Sequence, residues 1–159
     1  MKIELKNVHY MAALSEETAC FEASVYIDGV KAGSVSNRGH GGSNEYHPNA
    51  LWQKLEAYAK VLPEVETDLA DPHDKSTPFK YQPDADHVIG KLLTAFLVEK
   101  DVKRLLKSKT AFTKKGQKGL FTVKGIFTRA QVTKAFPNFE HYLNDMPIAD
   151  AVQVYLTCQ

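Results

Sequence analysis

Apolar and polar positions alternate along the first third of the chain, and the period then lengthens. Ile3 and Leu5 alternate with Glu4 and Lys6, which predicts a strand through about Tyr10. A second strand is predicted over Cys20–Ile27 and a third over Val30–Ser36. Asp28-Gly29 between them is a strong hairpin signal, because both turn residues must take positive φ. The pattern therefore predicts a three-stranded antiparallel meander at 2–36. Leu51, Leu55, Tyr58, Ala59 and Leu62 recur at helical spacing, predicting a helix over 48–62 that Pro63 stops. Trp52 lies one step off that stripe, where it would cover the sheet.

Residues 63–84 are rich in Pro and Asp and read as a connector, with a short strand near Phe79–Tyr81. The longest helix follows at about 85–107, capped by Asp84 or Asp86. Ile89, Leu92, Leu93, Phe96, Val102, Leu105 and Leu106 supply its apolar face. A basic turn is expected at 113–119, a strand at 120–127, a helix from Thr128 to Ala135 and a last helix at 147–156. The expected fold is α+β. An N-terminal three-stranded sheet packs on a helix, and a mainly helical, basic C-terminal half adds one further strand. Its parts are 1–62, a connector at 63–84, and 85–159, with a shared core left open.

A chain of 159 residues with 43% hydrophobic content suits one folded domain, or one with a small appendage. It has no apolar run near the ~20 residues that span a bilayer, so no membrane partner is expected. The alternation beginning at Met1-Lys2-Ile3-Glu4 predicts no signal peptide. Cys20 and Cys158 are too few for a disulfide scaffold, and a reduced, cytoplasmic protein is expected. Cys20 beside Phe21 is expected as a buried thiol.

Charge changes this picture. The net charge of +1 conceals eleven Lys or Arg against one acid between Lys100 and Lys134. Residues 1–99 carry nine bases and fifteen acids, and 135–159 carry three acids and no base. Lys100, Lys103, Arg104 and Lys107 fall at i, i+3, i+4 and i+7, one stripe of a helix. Lys114, Lys115 and Lys118 follow in the basic turn, with Phe112 and Phe121 interleaved. Such a block suits phosphate or an acidic protein surface. The bland alternative is a soluble lysine-rich surface, with both Phe rings in the core.

Arg38, His40 and Asn44 mark a Gly-rich loop at 37–44, either a recognition loop or a wide turn from strand to helix. Its spacing is neither a P-loop nor a dinucleotide fingerprint. His40, Glu45 and His47 could serve a metal-dependent hydrolase, but their spacing defines no metal site, and none is assigned. No Ser sits in a G-x-S-x-G elbow, and neither catalytic residue nor cofactor is assigned. The acids Glu64, Glu66, Asp68, Asp71 and Asp74 could imitate a run of phosphates, or form a solvated loop.

Phe21 to Tyr58, reading strand, Asp-Gly turn, strand, Gly-containing loop and helix, resembles the second half of a double-stranded RNA-binding domain. That family places Lys-Lys-x-x-Lys at the start of the last helix, where this chain has Gly42-Ser43-Asn44-Glu45-Tyr46-His47-Pro48. The segment V-Y-I-D-G-V-K-A-G-S-V-S-N-R-G-H-G-G-S-N-E-Y-H-P, from Val25 to Pro48, is similar to small proteins of bacteriophages and mobile elements. That second resemblance implies a non-enzymatic accessory protein that acts by binding, including inhibitors of host defence of the anti-CRISPR kind. The expected partner is a host nucleoprotein or an acidic protein surface. The alternatives are a direct double-stranded RNA or DNA binder and the hydrolase. Oligomeric state is left open.

Overall fold

The computed structural model describes residues 1–158; with 37% helix and 36% strand the chain is α+β. It divides into two units, Met1–Leu93 and Thr94 onward.

The first unit opens with β1 (Ile3–Tyr10), β2 (Cys20–Ile27), β3 (Val30–Arg38) and β4 (Glu45–His47), an antiparallel sheet in that order. Asp28 and Gly29 take φ of 50° and 84°, as the two-residue turn requires. Alternation along β2 and β3 buries Phe21, Ala23, Val25 and Val35, and Cys20 is buried beside them. The sheet has four strands, not the expected three. β4 pairs with β3 through Ser34↔His47 and Ser36↔Glu45. At three residues it is too short for alternation to reveal it.

Helix α1 (Asn49–Ala59) buries Leu51, Leu55 and Ala59 at successive turns. It packs closely on β3: a Cβ added at Gly33 would lie 3.0 Å from Leu51 Cδ2. Trp52, expected to cover the sheet, is instead 41% exposed. The stretch 63–84 carries a hairpin of β5 (Val65–Ala70) and β6 (Pro78–Tyr81), where the pattern showed only one short strand. Leu69 and Ala70 at the end of β5 are both exposed, which breaks the alternation there.

Helix α2 (Ala85–Ser108) starts at a well-made cap. Asp84 Oδ1 accepts the His87 N–H at 2.7 Å, and Glu56 Oε2 accepts the Ala85 N–H at 3.0 Å. The boundary between the units falls within α2, and the stretch 63–84 lies wholly in the first.

The second unit holds the rest of α2, then β7 (Lys109–Lys114), β8 (Gln117–Lys124), α3 (Arg129–Ala135), β9 (Phe139–Tyr142) and α4 (Ile148–Thr157). Its antiparallel sheet runs β8-β7-β9, so this half has three strands, not one. The central strand explains the miss. Thr110, Ala111, Phe112 and Thr113 are all buried, so β7 shows no alternation. One core gathers Val102, Ala111, Leu143 and Ala151. A second gathers Phe112, Val132 and Tyr142. The Tyr142 hydroxyl donates to the Phe127 carbonyl, and its pKa is raised by burial and then by the Asp145 carboxylate. Thr128 caps α3 reciprocally with Gln131, as its sequence predicts. Among the described residues no helix is long and apolar enough to cross a membrane.

Candidate anion-binding face

The basic stripe forms on α2 as its spacing requires: Lys100, Lys103, Arg104 and Lys107 are all exposed. Two of the four are held by acids of the same helix. Lys103 pairs with Glu99, and Arg104 Nη2 lies 3.1 Å from Asp101 Oδ1. Exposed pairs of this kind are worth about 0–1 kcal/mol, so a partner can displace them. Lys100 and Lys107 make no ion pair among the described residues.

Arg104 borders two concavities. A groove of about 500 Å³ runs along Phe96, Lys100, Lys103 and Lys107, with Glu99 also in its lining. A cleft of about 560 Å³ lies between α2, β7, β8 and α4, where Lys109, Ser108, Thr122 and Tyr155 join Arg104 over Leu105 and Leu120. Asp101 is the one acid lining that cleft among the described residues.

The hairpin adds cations that the sequence pattern did not single out. Lys109 and Lys124 stand directly opposite each other in the β7–β8 register. Like charges in that position repel. Leu120 packs against the Val102 core, and Lys118, Thr122 and Lys124 alternate with it on one face of β8. That face also borders the cleft through Leu120 and Thr122. The missed signal was Gly116, which has φ 71° and turns the chain between Lys114 and Gln117. Read as a hairpin turn alone, it would put Lys109 opposite Thr122; an irregularity between Phe112 and Lys114 shifts the register and brings Lys109 opposite Lys124.

Lys114 is separated from this group. Its ammonium lies 4.2 Å from the Phe121 ring centre, 5.0 Å from Phe136 and 6.0 Å from Phe112. The half-buried Lys114 thus caps the second core as a cation over aromatic faces. Lys115 and Lys118 are exposed at the hairpin end.

The Gly loop of the first unit turns its polar groups inward. Asn37 is the hub: its Oδ1 accepts from Thr18 Oγ1 at 2.7 Å and from the Gly39 N–H at 2.9 Å. Its Nδ2 donates to Gly42 O at 3.2 Å and to Asn44 Oδ1 at 3.1 Å. The Gly39 carbonyl accepts N–H groups from Glu16, Glu17 and Thr18. The Gly41 N–H reaches Thr18 Oγ1 at 3.3 Å. The Gly39, Gly41 and Asn44 amides are therefore engaged within the protein. Asn44 belongs to this network, and its backbone N–H also points at Asp86. Tyr46 donates to Asp86 Oδ1 at 2.6 Å. Burial, then the Asp86 partner, pushes the Tyr46 hydroxyl well above the ordinary phenol range.

Arg38 and His40 remain exposed, Arg38 3.9 Å from Glu45 and His40 Nδ1 3.1 Å from Glu16 Oε2. His40, Glu45 and His47 form no group that could hold a metal, and no such group of three occurs among the described residues. Comparison of the chain with protein-family models, curated proteins and solved structures finds no match in any of the three.

Proposed function

We propose that this chain is a non-enzymatic binding protein whose second unit engages an anionic partner through the α2 stripe and the β7–β8 cations. The partner is a host nucleoprotein or an acidic protein surface, consistent with an accessory protein of phage or mobile-element type that inhibits host defence. The observation that carries this is the placement of Arg104 between two concavities, one lined by Lys100, Lys103 and Lys107 and the other by Lys109, with Lys109 and Lys124 facing each other uncompensated. A chain selected for stability alone gains nothing from two lysines in direct opposition; an anion laid across them turns the repulsion into binding. Lysine predominates, nine to two over arginine between 100 and 134, which favours electrostatic contact over base reading. Arg38 and His40 are a second, weaker contact, since each already has a carboxylate partner.

The test uses tagged wild type and the Lys100/Lys103/Arg104/Lys107→Ala variant as baits in bacterial lysate, with and without nuclease. The wild type should retain an acidic protein or a nucleoprotein, released as salt rises, and the variant should lose it while keeping its circular dichroism and unfolding midpoint. Capture of nucleic acid alone, abolished by nuclease, would replace this proposal with direct duplex binding. Equal capture by both baits would overturn the role of the stripe.

A further inference from the structure

The first unit contains a cavity of about 420 Å³ that the basic face does not use. Small-molecule sites occupy about 300–1,000 Å³, and this one has their composition. Leu62, Pro63 and Val65, running from the end of α1 into β5, form one wall, while Val88 and Leu92 of α2 form another. Few polar groups interrupt this lining. His87 and Lys91 stand four residues apart, on one face of α2. The Tyr81 hydroxyl lies 2.9 Å from His87 Nδ1 and fixes the ring. When that hydroxyl donates, the ring proton sits on Nε2, which is then a donor. Lys91 makes no ion pair among the described residues. The one carboxylate in the lining is Glu64, on the link between α1 and β5.

We infer that this cavity binds a small amphipathic anion: an apolar body with one terminal carboxylate. The body lies against Leu62, Val65, Val88 and Leu92, and the carboxylate meets Lys91 and His87. Glu64 opposes the charge, so a single carboxylate suits the site better than a group of higher charge. This site stands independently of any anionic macromolecule bound by the second unit.

The test titrates octanoate and octylamine into the isotope-labelled full-length chain, followed by amide NMR shifts and calorimetry. Octanoate should bind about fivefold or more tighter than octylamine, with the largest shifts at His87, Lys91 and Leu92. Lys91 and Glu64 are both exposed, so their substitution leaves the core intact. Lys91→Glu should reverse the preference, and Glu64→Gln should tighten octanoate. Absence of binding by either probe, equal binding of the two, or an unchanged preference in Lys91→Glu would each overturn the proposal. Shifts confined to residues outside the cavity would do the same. Neither result depends on the lysate capture, which reads the second unit.

Discussion

The Gly loop at 37–44 and the basic face built on α2 and the β7–β8 hairpin are similar in composition, since each gathers polar groups suited to an anion. They differ in where those groups point. Around Asn37 the donors and acceptors satisfy one another, and Asn44, Tyr46 and Asp86 tie the loop to the start of α2. On the basic face Lys100 and Lys107 have no carboxylate partner among the described residues, and Lys109 faces Lys124. Polar groups that serve folding are paired within the chain, because a buried unpaired group costs about 1–3 kcal/mol. Groups that serve a partner remain solvated and uncompensated until it arrives. The contrast is between a loop whose polar groups are paired within the chain and a candidate face whose cations are not.

The largest effect should come from breaking the loop. Gly39 has φ 89°, and a Cβ there would lie 2.0 Å from the Leu14 carbonyl oxygen. Neither the backbone conformation nor that contact admits a side chain without movement of main chain. Gly39→Ala should destabilise the first unit by about 3 kcal/mol, read as a lowered urea midpoint. A shift under about 0.5 kcal/mol would mean that the loop is loosely held and is available as a recognition element after all.

Tyr46 sharpens the same side of the comparison. Its phenol keeps its proton in the folded chain to higher pH than in the unfolded one. A raised folded pKa contributes stability that is fully present below the unfolded value, about 10, and is lost as pH rises through the folded pKa. Wild type should therefore lose stability as pH is taken above about 10. Tyr46→Phe should cost about 1–2 kcal/mol at pH 7, by removing the hydrogen bond to Asp86. It should also flatten the alkaline loss. Urea unfolding at neutral and alkaline pH checks both, and parallel pH profiles for wild type and variant would remove Tyr46 from the network.

Most elements were legible because one face of each is wet. β2, α1, α3 and α4 carry plain alternation, helical stripes or caps, and they stand within a few residues of the positions predicted for them. The losses share a cause. β7 is buried on both faces and β4 is three residues long, so neither shows a period, and the short alternation of β5 ends in exposed Leu69 and Ala70. Missing β7 hid the register that pairs Lys109 with Lys124, and with it part of the candidate face. The inward turn of the Gly loop was illegible for a different reason. It depends on Thr18, Asn37 and Asp86, and hydrogen bonds between residues so far apart leave no local pattern.

The smallest effect is the most specific to the contrast. Lys109 and Lys124 are exposed and directly opposed, so each raises the free energy of the unbound hairpin. Lys124→Gln removes one charge and keeps most of the side chain. It should stabilise the free protein by about 0.2–1 kcal/mol at low salt. The gain should fade as salt screens the repulsion, since exposed charges are attenuated over about 10 Å at 0.1 M. The same change should weaken capture of the anionic partner. A mutation that strengthens the fold and weakens the interaction identifies a position held for binding at the expense of stability. If Lys124→Gln stabilised the chain and left capture untouched, the opposed lysines would be ordinary surface charge, and the binding face would shrink to the α2 stripe. If it destabilised the chain at every salt concentration, the ammonium would be supporting the fold, and the distinction between the two regions would fail at this position.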